Sequence, residues 1–171
     1  MASNGGLHGS DIIAALKAAR VGHVVSVPDI TTSHGLLWPL SREPGIKLIR
    51  LPKEDDGVSI CAALAHTETR CVLLMQMTGF FDSMNAIRAI ACEYKQPVCM
   101  MIGLLGKAPD EKPSESKAYS VRIVEPICDA IGLDHMCLND DADVAQVPAA
   151  IDRAYASSRP LAVLFGKVIE P

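Results

Sequence analysis

The 171-residue chain is poor in aromatic residues, at 4%, with one Trp, three Tyr and three Phe. It has no low-complexity segment and no internal repeat. It also lacks the nucleotide fingerprint GxGxxG and the serine-hydrolase elbow GxSxG, which argues against a dinucleotide site and a Ser-His-Asp hydrolase. Gly103-Leu104-Leu105-Gly106-Lys107-Ala108 is too short between its glycines to be a phosphate loop, and Ala108 stands where Ser or Thr would hold Mg²⁺. Asn139 to Asp143 has neither the Gly nor the closing Glu of a calcium loop and reads instead as an acidic helix cap. No apolar run approaches the ~20 residues of a membrane span. Met1 to Gly9 carries no basic and no apolar stretch, so no secretory signal is expected. The net charge of −4 argues against a nucleic-acid coat or an anionic-membrane binder. None of the six cysteines forms CxxC. They are expected to be small buried hydrophobes in a reducing cytoplasm, and no metal site is expected.

What is present is an apolar fraction of 49%, mostly Ala, Val, Ile, Leu, Met and Cys. That is enough to cover both faces of a sheet. Short β-branched runs alternate with stretches of helical period. Strands are expected at His23–Val27, Lys47–Leu51, Cys71–Gln76, Val98–Ile102, His135–Leu138 and Leu161–Phe165. Helices are expected to start at Ser10 or Asp11 and to cover Glu54–Ala65, Asp82–Glu93, Val121–Ile131 and Asp143–Ser157, with a weaker one near Ser33–Leu40. Strand–helix alternation predicts right-handed crossovers and a doubly wound α/β fold of about six parallel strands with helices on both faces. Residues 1–171 are expected to form one domain, with 1–9 flexible. Ligands in such folds gather at the carboxyl ends of the strands. The loops of interest are therefore Pro28–His34, Pro52–Asp56, Met77–Phe81 and Gly103–Ala118. The polar stretch Lys107–Ser120 reads as a surface excursion, in the manner of an active-site flap.

Four motifs carry a resemblance. They are Ser26-Val27-Pro28-Asp29, Glu54-Asp55-Asp56-Gly57-Val58, Met75-Gln76-Met77-Thr78-Gly79 with Asn85, and Pro97-Val98 through Gly103 and Gly106. In order and spacing they resemble the pyrimidine-binding (Pyr) domain of thiamine-diphosphate enzymes. The likeness is nearest to sulfopyruvate decarboxylase α subunits and to the matching half of phosphonopyruvate decarboxylase, and it runs from about Ile12 to Phe165. It implies that Glu54 bonds N1′ of the cofactor's aminopyrimidine. It also implies that Pro28, Thr78, Gly79 and Phe81 join Glu54 around the cofactor, and that a 2-oxo acid is decarboxylated. Thr31, Thr32, Ser33, His34 and Leu105 are the substrate candidates. The diphosphate and Mg²⁺ are held in these enzymes by a GDG motif with a later Asn, and no GDG occurs here. A partner subunit with the diphosphate-binding (PP) domain is implied, in an oligomer of at least two α and two β chains. Phe81 and Asp82 depart from the family's glycine-asparagine turn, and Leu104-Leu105 stands where relatives carry Arg or His. A non-catalytic binding or regulatory subunit of the same fold is the alternative reading. A flavodoxin-like nucleotide binder is a third, disfavoured by the missing phosphate loops.

Overall fold

A computed structural model describes residues 6–171. The strands β2 (His23–Ser26), β3 (Lys47–Arg50), β4 (Cys71–Gln76), β5 (Cys99–Gly103), β6 (Asp134–Leu138) and β7 (Leu161–Phe165) form one sheet in the order β3-β2-β4-β5-β7-β6. Every pairing in it is parallel, with registers such as Val25↔Leu73, Leu74↔Met101 and Met101↔Val163. The central strands are apolar along their length because both faces are covered. Val24, Val72, Leu74, Met101 and Val163 face one layer, formed by α1 (Gly9–Ala18), α2 (Trp38–Leu40), α7 (Asp141–Val144) and α8 (Val147–Ser157). Val25, Leu73, Met75, Met100, Ile102 and Leu164 face the other, formed by α3 (Glu54–His66), α4 (Met77–Asp82), α5 (Met84–Ala86), the π-helical segment Ile87–Glu93 and α6 (Tyr119–Ile131). This is the expected doubly wound α/β architecture.

All six expected strands are found to within a residue at each end. The helices depart from expectation where strand and helix meet without a loop. α4 begins at Met77, immediately after β4, and not at Asp82. The last expected helix is two helices, α7 and α8, because Pro148 opens α8 and cannot continue a helix from the preceding turn. Asp140 caps α7 as expected of that acidic stretch, its carboxylate accepting from the Ala142 and Asp143 amides at 3.0 and 3.2 Å.

The amino-terminal expectation needs correction. Residues 1–5 lie outside the described residues, but Leu7–His8 is a strand, β1, paired in parallel with β8 (Ile169–Glu170). Leu7 is fully buried, so burial of one large side chain holds this end in place. β1 runs straight into α1, which starts at Gly9 with no side-chain cap at all. His8 fastens the segment further. Its amide and Nδ1 both donate to the Asp141 carboxylate, at 2.9 and 2.7 Å.

All six cysteines are free thiols, four of them buried. Burial pushes Cys128 up to about 12 and Cys137 up to about 11, so these are protonated, inert groups at neutral pH. No helix among the described residues is long and apolar enough to cross a membrane.

The His8–Asp141 pair makes the amino-terminal strand pH-sensitive. The hydrogen bond to Asp141 raises His8 above its ordinary 6.5. The His8 amide lowers Asp141 below its ordinary 3.8. A raised histidine stabilises fully below 6.5, and that contribution is lost as pH climbs through the folded value. A lowered carboxylate stabilises above 3.8 and fails as pH falls through its folded value. Protection of the Leu7 and His8 amides, measured against their intrinsic exchange rates, should therefore be greatest at about pH 5–6 and fall above neutrality, where exchange accelerates in excess of the intrinsic base catalysis. His8→Ala should remove that excess.

Candidate active site at the carboxyl edge of the sheet

All six strands of the main sheet end on the same side. The chain steps from β2 outward to β3, then back across β2 to β4, so the segments after β2 and β4 leave toward opposite layers. A second such point lies between β5 and β7, because β6 is the outer strand. Crevices open at such switch points, and the candidate residues collect around them.

Glu54 is the first residue of α3 and is half-buried. Asp55 and Asp56 follow in the same turn, where the partial positive charge of the helix N-terminus favours carboxylates. The Glu54 side chain lies directly on Gly79, in α4. A β-carbon added at Gly79 would overlap the Glu54 Cγ, Cδ and Oε1 atoms. Gly79 is thus the floor on which the Glu54 carboxylate rests. Lys53 locks the two junctions together, donating to Asp55 at 3.1 Å and pairing with Asp82 at 3.3 Å. Those two carboxylates raise its pKa, the Asp55 hydrogen bond most.

The loop after β2 is organised by Asp29. Its Oδ1 accepts from the Thr31 and Thr32 amides at 2.6 and 2.9 Å and from the Thr31 hydroxyl. Its Oδ2 accepts from the Thr32 hydroxyl at 2.5 Å. The Asp29 amide in turn donates to Ser33 Oγ at 3.1 Å. This folds the loop over the sheet edge until Thr31 meets Gly103, the last residue of β5. A β-carbon at Gly103 would overlap Thr31 Oγ1. Beside this contact a crevice of about 150 Å³ opens between Thr31, Leu104, Leu105 and the segment after β7.

No family model matches the chain. Over 95 residues it is 28% identical to sulfopyruvate decarboxylase subunit alpha of Methanococcus maripaludis, covering 56% of each chain. Over 104 residues it is 26% identical to the same subunit of Methanocaldococcus jannaschii, covering 61% of each. The matched stretch thus spans little more than half the length of these curated relatives. Benzoylformate decarboxylase from Polynucleobacter necessarius superposes on 94% of this chain with a TM-score of 0.66, at 15% identity and over 30% of its own length. The chain is related to the Pyr domains of thiamine-diphosphate enzymes.

Around this Pyr-like edge the expected residues fall into two groups. Glu54, Thr78, Gly79 and Phe81 belong to the α3–α4 junction. Thr78 is exposed and its hydroxyl accepts from Gln76 Nε2 at 2.8 Å. Phe81 is half-buried, its ring 5.6 Å from that of Phe80, which lies wholly in the core. Phe80 packs the interior, and Phe81 packs partly buried against the same cluster. Pro28 is exposed at the end of β2.

Thr31 and Leu105 line the crevice; Thr32, Ser33 and His34 do not. Thr32 is fully buried with its hydroxyl donated to Asp29, so it shapes the loop and offers nothing outward. His34 is exposed in the π-helical turn Ser33–Leu37. Asp29 enters the sequence reading only as the end of a motif, with no role of its own, and Lys53 is not among the candidate residues. An Asp followed at two and three residues by Thr is the pattern of an Asx turn and could have flagged the first. The Lys53–Asp82 contact joins residues too far apart in sequence to announce itself. The stretch 107–120 is a packed excursion: Pro113 and Ser116 are buried, and Arg122 donates to the Ser116 carbonyl at 2.8 Å.

Asp29→Ala should cost about 1–2 kcal/mol in denaturant unfolding, the usual range for a lost helix-entry carboxylate. It should also expose the Thr31 and Thr32 amides to faster hydrogen exchange. Asp29→Asn, which keeps one acceptor oxygen, should recover part of the loss.

Proposed function

We propose that residues 1–171 form one Pyr-type domain, the α subunit of a two-chain thiamine-diphosphate-dependent 2-oxo acid decarboxylase of the cytoplasm. The observation that carries this reading is the Glu54 carboxylate resting on Gly79, half-buried at the carboxyl edge of a sheet with Pyr-like topology. A planar aminopyrimidine needs a carboxyl group that is held in place and still reachable. Backbone contact at Gly79 supplies the first and half-burial the second. Fold likeness and the α-subunit relatives support the same reading.

Thiamine diphosphate, when bound, supplies the electron sink that lets a 2-oxo acid lose CO₂. The chain's part is to bind and to move a proton. Glu54 shares a proton with N1′ of the aminopyrimidine. Its glutamate length matters, since Asp at this place would fall a methylene short. Gly79 keeps the carboxylate from tilting inward. Thr78, Phe81 and Pro28 would join Glu54 in holding the aminopyrimidine. The Asp29 loop presents Thr31 toward the substrate, and His34 and Ser33 lie farther along that loop. Mg²⁺ and the diphosphate belong to the partner, a β subunit carrying GDG and a later Asn, in an assembly of at least two α and two β chains. The names of the relatives suggest a sulfopyruvate-like acid as substrate, and the motif resemblance adds a phosphonopyruvate-like one.

Co-purification with the β subunit, followed by assay with thiamine diphosphate and Mg²⁺, tests this. Glu54→Gln should lower kcat by about 10²–10⁴-fold, the usual worth of a positioned acid–base group, while assembly with β is unchanged. Equal turnover in the two forms would instead mark the chain as a non-catalytic assembly or regulatory module.

Gly79→Ala offers a second test. Alanine is favoured over glycine inside a helix by about 1 kcal/mol, and the overlap it creates is with a side chain that can swing away. The variant should fold with near-unchanged stability yet lose at least about tenfold in turnover, because Glu54 is displaced. Full activity in this variant would separate Glu54's position from catalysis.

A further inference from the structure

Among the described residues five large hydrophobic side chains are markedly exposed, and three of them surround one opening. Ile30 is 81% exposed, Leu105 43% and Val168 78%, and all three line the 150 Å³ crevice between β5 and β7. They come from three loops, after β2, β5 and β7, so their meeting follows from the topology and not from one apolar run. Phe165, at the end of β7 and almost wholly buried, closes the inner wall. Exposed apolar groups cost free energy in water, and a cluster of them around a concavity marks a binding surface.

The mouth of the crevice has a different chemistry. Lys107 and Lys167 both line it. Lys107 is partly buried, with its ammonium donating to the Ala108 carbonyl at 2.9 Å. Burial pulls its pKa down and the Lys167 charge adds to that, against the opposing pull of Cys137, Glu111 and Asp110. An anion at the mouth would relieve both costs. An apolar recess with a few charged groups at its entrance is the ordinary design of a site for an amphipathic small molecule.

We propose that this crevice is the side-chain subsite for an aliphatic 2-oxo acid, with the alkyl chain against Ile30, Leu105, Val168 and Phe165 and the carboxylate at Lys107 and Lys167. This rests on the decarboxylase reading above and narrows its substrate class away from sulfonate and phosphonate acids. The space equals roughly five water molecules, which accommodates an alkyl chain of about four or five carbons. A sulfonate or phosphonate one methylene from the oxo group would place a second, strongly hydrated anion against apolar walls.

The test uses the full chain alone, so it needs neither cofactor nor partner. Titration calorimetry, with methyl-labelled NMR of Ile30, Leu105 and Val168, is run with 2-oxobutyrate, 2-oxopentanoate, 2-oxohexanoate and 3-sulfopyruvate. Affinity should rise roughly three- to fourfold per added methylene, with shifts at the three named methyl groups. Leu105→Asp should abolish the chain-length dependence. Val168→Asp, at an open surface position where folding is not at stake, should do the same. Lys107→Gln should weaken all three alkyl acids by a similar factor and leave the dependence intact. Equal affinity along the series, no binding at all, or tighter binding of 3-sulfopyruvate than of 2-oxohexanoate would overturn the proposal. A chain-length dependence in a protein whose Glu54→Gln form turns over normally would keep the subsite and remove the decarboxylase reading. Loss of activity on Glu54→Gln with flat affinities would do the reverse.

Discussion

Two missing side chains shape the carboxyl edge of this sheet. At Gly79 and Gly103 the backbone is approached so closely that a single methyl group would overlap the neighbour, Glu54 in one case and Thr31 in the other. Because these contacts exist, the segments after β2 and β3 close over the ends of β5 and β4. Without them both loops would stand off the sheet, and the Glu54 carboxylate would have no fixed floor. The rest of the edge follows. Lys53 can reach Asp82 only because α3 and α4 start side by side, and Thr31 reaches the crevice only because Asp29 has curled the loop inward.

Electrostatics at this edge are arranged by local satisfaction. Asp29 takes up backbone amides and hydroxyls of its own loop, so its charge is consumed in shaping the chain and is not offered to a ligand. The acids that open α3 draw on the helix N-terminus and on Lys53. Glu54 is the one of these carboxylates seated on a neighbouring backbone. Burial raises the Cys128 and Cys137 thiols and keeps them as packing groups.

A carboxylate, a threonine and an apolar recess line this edge. They provide no cradle for a diphosphate, and the sequence has no GDG motif to build one. The curated relatives are themselves named as α subunits.

The architecture was legible in the residues because it depends on local pattern. Near-continuous apolar runs such as Cys71–Gln76 and Leu161–Phe165 can only be strands buried on both faces, and Glu54–His66 has acids at its start and small residues along its length. Strand–helix alternation then leaves one handedness of crossover. What sequence pattern could not reach were contacts between residues distant along the chain. The pairing of Leu7–His8 with Ile169–Glu170 joins the first described strand to the last. The start of α4 at Met77 is permitted by Gly79 beneath Glu54. The gathering of Ile30, Leu105 and Val168 requires three separate loops to be in place. Periodicity and propensity act over a few residues and decide which elements exist. Which side chains meet at the ends of those elements is set by close backbone approach and strand order, and these arise only when the whole sheet has formed.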